Sequence, residues 1–184
     1  MHSTQARILT GTVGLVLLLL VGSLAFAMTR GVGGIVDGRS DVSGRPLPPF
    51  ALAQFDGASF DLQERSTGPV LVYFWASWCA PCGQEAPVLQ KLWPEYQKRG
   101  YTFVGVNIWD MEGDAQRFIK EHGLTFPMVA DTEGRVYVDY GVSALPDAYF
   151  LEPGLRARTR YQGALTEGTL RTLLDELGQS GGRS

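Results

Sequence analysis

The sequence predicts an α/β domain, a sheet layered with helices, and three observations predict it. Val70 to Ala76 is a continuous apolar and aromatic run of strand length, which suits a strand buried on both faces of a sheet. From about Ala80 to Arg99, Val88, Leu89, Leu92, Trp93 and Tyr96 recur at helical spacing. Tyr101 to Trp109 is then a second buried-strand candidate. A strand–helix–strand order of this kind implies a right-handed crossover.

The other elements follow in chain order. Ile8 to Thr29 is a 22-residue stretch without a charge, long enough to cross the hydrocarbon core as one transmembrane helix. Arg7 and the amino terminus precede it, which favours a cytoplasmic N-terminus and a remainder outside. Ala25-Phe26-Ala27 resembles a signal-peptide cleavage site, so a secreted form is the alternative; the length of the stretch favours an uncleaved anchor. Residues 1–29 are thus read as anchor or signal peptide. Residues 30–48, rich in Gly, Ser and Asp and closed by Pro46 and Pro48, read as a flexible linker. Residues 49–178 are the folded domain and 179–184 a flexible tail.

Within the domain, Phe50 to Phe55 alternates and ends at Asp56-Gly57, a hairpin signal. Pro87 predicts a kink in the 80–99 helix. Gly113 to His122 has a helical stripe of Ala115, Phe118 and Ile119, with His122 at its surface end. Met128 to Ala130 reads as a short strand, and Val136 to Tyr140 is ambiguous. Asp147–Leu151 and Arg156–Tyr161 form a hairpin pattern about Pro153-Gly154. Thr166 is positioned to cap a last helix carrying Leu170, Leu173, Leu174 and Leu177.

Composition narrows the chemistry. The net charge of −3 gives no broad basic surface for nucleic acid, so none is expected as a partner. The two cysteines, Cys79 and Cys82, cannot fill a four-cysteine metal or cluster site, and His2 and His122 do not complete one. No metal and no cofactor is expected beyond a redox-active disulfide. The pair lies where the buried strand hands over to the helix. Helix starts present unpaired N–H groups and partial positive charge, which stabilise a thiolate. Cys79 is expected exposed at the first turn as nucleophile, and Cys82 inward one turn on, resolving the mixed disulfide. Pro81 is tolerated in a first turn that has no N–H bond to lose.

Phe74-Trp75-Ala76-Ser77-Trp78-Cys79-Ala80-Pro81-Cys82, with Pro87 five residues on, resembles thioredoxin. Glu85 three after Cys82, the long span from Cys82 to Pro146, Phe126-Pro127, Tyr140-Gly141-Val142 and Leu145-Pro146…Tyr149-Phe150-Leu151 resemble its membrane-anchored TlpA/ResA/CcmG branch. The resemblance covers about Pro49 to Gly178. It implies a thioredoxin-like three-layer fold: a central mixed sheet flanked by helices, with an added N-terminal β-hairpin and a central insertion. It also implies roles. Pro146 would be a cis-proline facing the cysteines, and its loop, with Leu145, Trp78 and Pro81, would bind substrate. Trp75 would pack beneath the site. Glu85 would be a buried carboxyl with a raised pKa that takes the proton of Cys82. Two departures bear on redox tuning. Tyr73 stands where plain thioredoxin has a buried aspartate. Asp147 follows the cis-proline where threonine is common, and its carboxylate would raise the Cys79 pKa and disfavour acidic substrates.

The implied activity is a membrane-tethered, extracytoplasmic thiol–disulfide oxidoreductase. Its partners would be a protein disulfide, apocytochrome c by resemblance, and a membrane thiol reductant as electron donor. A broader reductase or oxidant for other proteins remains the alternative, and a non-catalytic binding module a remote one. A peroxidase of the related peroxiredoxin group needs a threonine three before the cysteine, and position 76 is Ala76.

Overall fold

The computed structural model describes residues 14–23 and 38–180. The chain divides into a unit over Met1–Asp37 and a larger unit over Gly38–Ser184. In the first, α1 (14–23) is helical, with its side chains exposed. Both flanks of the expected span lie outside the described residues. No described helix is long and apolar enough to cross a membrane.

The larger unit is built on eight strands: β1 (Arg39–Asp41), β2 (Ala51–Ala53), β3 (Ser59–Asp61), β4 (Val70–Trp75), β5 (Thr102–Asn107), β6 (Met128–Ala130), β7 (Asp147–Glu152) and β8 (Arg156–Gln162). The helices are α2 (Ala80–Lys98), α3 (Glu112–Glu121), α4 (Arg135–Tyr140) and α5 (Glu167–Ser180). Six strands form one mixed sheet in the order β1-β8-β7-β4-β5-β6. β4, β5 and β6 run parallel, while β7, β8 and β1 add on antiparallel. β2 and β3 make the separate N-terminal hairpin. The span between Cys82 and Pro146 is occupied by the rest of α2 and by β5, α3, β6 and α4.

β4 lies at the centre, and all six of its side chains are buried, as its unbroken apolar run requires. Period-2 alternation divides them between two cores. Leu71, Tyr73 and Trp75 face a layer with Leu89 and Leu92 of α2, Phe118 of α3 and Leu170 and Leu174 of α5. Val70, Val72 and Phe74 face the other side, with Phe60 of the hairpin and Tyr140 of α4. α2 remains one helix through Pro87 and Pro94. Both prolines are exposed, so the hydrogen bonds they forgo fall on the solvated side. Thr166 accepts the Thr169 N–H at 3.2 Å, the expected cap of α5.

Two boundaries shift. The linker ends earlier than expected, because residues 39–41 pair with β8 as an edge strand. Gly44 and Leu47 donate their N–H groups to Ala157 and Leu155 (2.9 and 3.0 Å). β1 is polar and exposed along its length. It is held by backbone pairing and by an Arg39–Glu176 ion pair (2.6 Å), neither of which leaves an apolar period in the sequence. At the other end α5 continues through Ser180, two residues into the expected tail. Val136–Tyr140, ambiguous in sequence, falls within helix α4.

Candidate active site

Cys79 and Cys82 form a disulfide with their Cα atoms 5.3 Å apart. Cys79 is the N-cap of α2. Its backbone is extended, and its sulfur accepts the Cys82 N–H at 3.3 Å. Its carbonyl accepts the N–H groups of Cys82 and Gly83 (3.0 and 3.3 Å). The expected thiolate-stabilising position is thus met at the cap. The expected exposure is not. Cys79 is 5% exposed and Cys82 fully buried, because the S–S bond folds the Cys79 sulfur back over the first turn. Pro81, at the second helical position, is exposed.

Glu85 shares the inward face of α2 with Cys82 and is 1% exposed. One carboxyl oxygen, Oε2, accepts the Leu165 N–H from the approach to α5. The other, Oε1, has no hydrogen-bond partner. Burial raises the carboxyl pKa to about 7, and the Leu165 N–H offsets only part of that rise. Tyr73 on β4 faces the same layer and acts electrostatically on Glu85, yet its hydroxyl makes no hydrogen bond in this geometry. Burial first, and Glu85 second, push the Tyr73 phenol well above its usual pKa, so it stays neutral. Tyr73 is therefore a neutral dipole beside a titrating carboxyl.

The Leu145–Pro146 peptide is cis, as the resemblance implies. The antiparallel register pairs Asp147 with Phe74, which puts Pro146 level with Trp75, four residues before Cys79. Pro146 is buried, Leu145 half-buried, and the Pro146 carbonyl accepts the Gly163 N–H (2.9 Å). Trp75 is buried and its ring stacks on Phe118 with centroids 4.7 Å apart. Trp78 is 58% exposed, and its indole N–H donates to the Trp109 carbonyl at 2.9 Å. His122 is half-buried rather than a free surface residue, its ring 4.4 Å from that of Phe118.

Contrary to expectation, Asp147 presents no free carboxylate to Cys79. Alternation along β7 puts Ala148 and Phe150 in the cysteine-side core, and Tyr149 and Leu151 in the opposite one. Asp147 belongs to that opposite face. It is fully buried and accepts from Arg160 Nε (3.0 Å) and Nη2 (2.5 Å). Burial pushes its carboxyl above the usual range and Arg160 pulls it part of the way back.

Sequence reasoning missed Asp110, which ties the Cys79 loop to the β5–α3 loop. Its carboxylate accepts the N–H and hydroxyl of Ser77, the Asn107 amide and the Met111 N–H. Nothing in the local pattern marks it, because Ser77 lies 33 residues away. Arg160 and the Leu165 amide were missed for the same reason.

Residues 43–158 match the AhpC/TSA family, more than half of the chain. A thiol-disulfide oxidoreductase ResA of Oceanobacillus iheyensis is 32% identical over 88% of this chain and 85% of its own length. The ResA of Geobacillus thermodenitrificans is 28% identical over 94% and 97%. Among solved structures, a secreted Mycobacterium tuberculosis disulfide oxidoreductase homologous to E. coli DsbE matches with a TM-score of 0.64 at 25% identity. It covers 70% of this chain and 96% of its own. The Cys-x-x-Cys pair at the cap of a helix behind a central mixed sheet is the arrangement that thiol–disulfide exchange needs. The chain belongs to the AhpC/TSA family, and within that thioredoxin-like family it is a thiol–disulfide oxidoreductase of the ResA type.

Proposed function

We propose that this oxidoreductase works outside the cytoplasm, tethered to the membrane by its N-terminal apolar segment, and that it reduces disulfides in other proteins. The observation that carries the exchange chemistry is Glu85, a buried carboxyl on the same helical face as Cys82 whose pKa burial raises to about 7, while the reducing direction follows the family resemblance. Such a group suits a resolving step in which Cys82 must lose a proton. In the dithiol form the Cys79 thiolate attacks a substrate disulfide, forming a Cys79–substrate S–S bond and releasing one substrate thiolate. Cys82 passes its proton to Glu85 and attacks the Cys79 sulfur. The second substrate thiolate leaves, and two electrons have passed to the substrate. The pair ends as the disulfide seen in the structure. A membrane thiol reductant would return it to the dithiol. The exposed Trp78 and the Leu145–Pro146 loop flank the path that a substrate would take to Cys79.

The secreted nature of the Mycobacterium tuberculosis relative supports the compartment. The Cys-x-x-Cys of apocytochrome c is the substrate that the family resemblance favours. The test is to introduce Cys82→Ser, which stalls at the mixed disulfide, and to follow the wild-type redox state by alkylation in the same cells. Covalent adducts with c-type cytochrome precursors, and a mainly reduced wild-type pair, are expected. Adducts that lack cytochromes would remove that substrate. A mainly oxidised pair would replace the reductase reading with an oxidant one.

A further inference from the structure

Four large apolar side chains stand more than half exposed among the described residues of the Gly38–Ser184 unit: Trp78 (58%), Trp109 (62%), Met111 (73%) and Val138 (70%). They are not scattered. The Trp78 indole N–H is bonded to the Trp109 carbonyl, and the Trp109 ring lies 4.4 Å from that of Tyr137, next to Val138. Met111 is two residues from Trp109. Exposed apolar side chains gathered on neighbouring loops in this way mark an interaction surface. Trp109 also has a φ of 51°, a left-handed conformation that costs a non-glycine residue about 1 kcal/mol.

Beside this face runs a groove of about 240 Å³, whose lining includes Phe55, Trp109 and Ala130 and the acidic residues Asp110, Glu112 and the buried Asp131. The hydrogen bonds to these carboxylates come from neutral groups. Asp110 accepts from Ser77, Asn107 and Met111, Asp131 from the Tyr137 N–H, and Glu112 from Gln116. No Lys or Arg forms an ion pair with any of the three among the described residues. The groove thus offers apolar contact and acidic residues that no Lys or Arg pairs with among the described residues. It is joined to the loop just before Cys79 by three hydrogen bonds: two from Ser77 to Asp110, and one from the Trp78 indole to the Trp109 carbonyl. A polypeptide linked to Cys79 has the Trp78–Trp109 face directly beside it.

We propose that this face and groove bind the polypeptide flanking the target cysteine, and that they select a segment with an aromatic or large aliphatic side chain next to a Lys or Arg. The inference rests on the protein-disulfide reading above and adds to it a class of substrate sequence. Charge complementarity supplies the basic residue, and the aromatic rim supplies the apolar one.

The test compares two oxidised Cys-x-x-Cys peptides, identical except that one is flanked on both sides by Lys-Trp and the other by Glu-Ser. The reduced full chain should reduce the Lys-Trp peptide with a kcat/KM higher by about tenfold or more, in line with the weight that one buried aromatic contact carries. Glu112→Lys should remove most of that preference. Trp109→Gly, which also suits the left-handed backbone, should raise KM for the Lys-Trp peptide while leaving reduction of Cys79–Cys82 by dithiothreitol unchanged. Equal kcat/KM for the two peptides, or a preference that survives both substitutions, overturns the inference and leaves the exchange reading standing. Failure to reduce either peptide overturns both. Self-association of the wild type that Trp109→Gly abolishes would make a second copy the occupant, and the inference falls.

Discussion

Glu85 takes its character from burial more than from any single neighbour. Its carboxyl, ordinarily near 4.5, is raised to about 7, so the folded protein binds a proton that the unfolded chain has released. Its contribution to stability is therefore fullest below about pH 4.5 and is lost as pH rises through about 7. The span corresponds to something on the order of 3 kcal/mol. In Glu85→Gln that slope should disappear from denaturant unfolding of the oxidised protein, and the variant should be the more stable protein at pH 8. Parallel pH curves for the two proteins would show that the carboxyl is not the titrating group. At pH 7 the same substitution should slow release from the mixed disulfide by roughly a hundredfold, the usual weight of a positioned base, while alkylation of Cys79 stays near wild type. The cysteine pair was legible from its place where a buried strand hands over to a helix, whereas Glu85 was picked out only by the family resemblance. Cys79's burial was not legible, since it depends on the closed S–S bond rather than on the residues nearby.

At the scale of elements, β4 shows what a continuous apolar run specifies. It gives a central strand whose alternate side chains serve two cores, with the reactive pair delivered at its C-terminal end. β7 shows the limit of such reading. Asp147 looked like a charge beside the cysteines because it adjoins Pro146 in sequence. In a strand, adjacent residues point to opposite faces, and the partner that decides the matter, Arg160, lies on the neighbouring strand β8. The pair is dry on the carboxylate side, with Asp147 fully buried and Arg160 17% exposed. Breaking it leaves a buried charge without a counter-ion. Arg160→Ala should therefore cost roughly 3 kcal/mol in chemical unfolding, and adding Asp147→Ala should recover much of the loss. A single-variant cost well below 1 kcal/mol would mean that solvent reaches the carboxylate.

Across the whole molecule, the order of residues 39–47 was not legible in the sequence. Gly38 to Leu47 lacks any apolar period, and its order comes from the free edge of β8. Unpaired strand edges invite pairing with other chains. A chain beginning at Gly38 should keep that edge covered. One beginning at Gly44 should expose it and self-associate more strongly in sedimentation as concentration rises; identical behaviour of the two would show that β1 is dispensable. The bond from the Leu165 N–H to Glu85 spans 80 residues and joins the approach to the last helix to the base beside the disulfide. Its strength depends on whether its acceptor is charged, since a carboxylate holds an amide proton more firmly than the neutral acid does. Each time the carboxyl gains or loses its proton, that remote amide is gripped or slackened. The protein thereby carries, in its own backbone, a spectroscopic reporter of the charge beside its sulfurs.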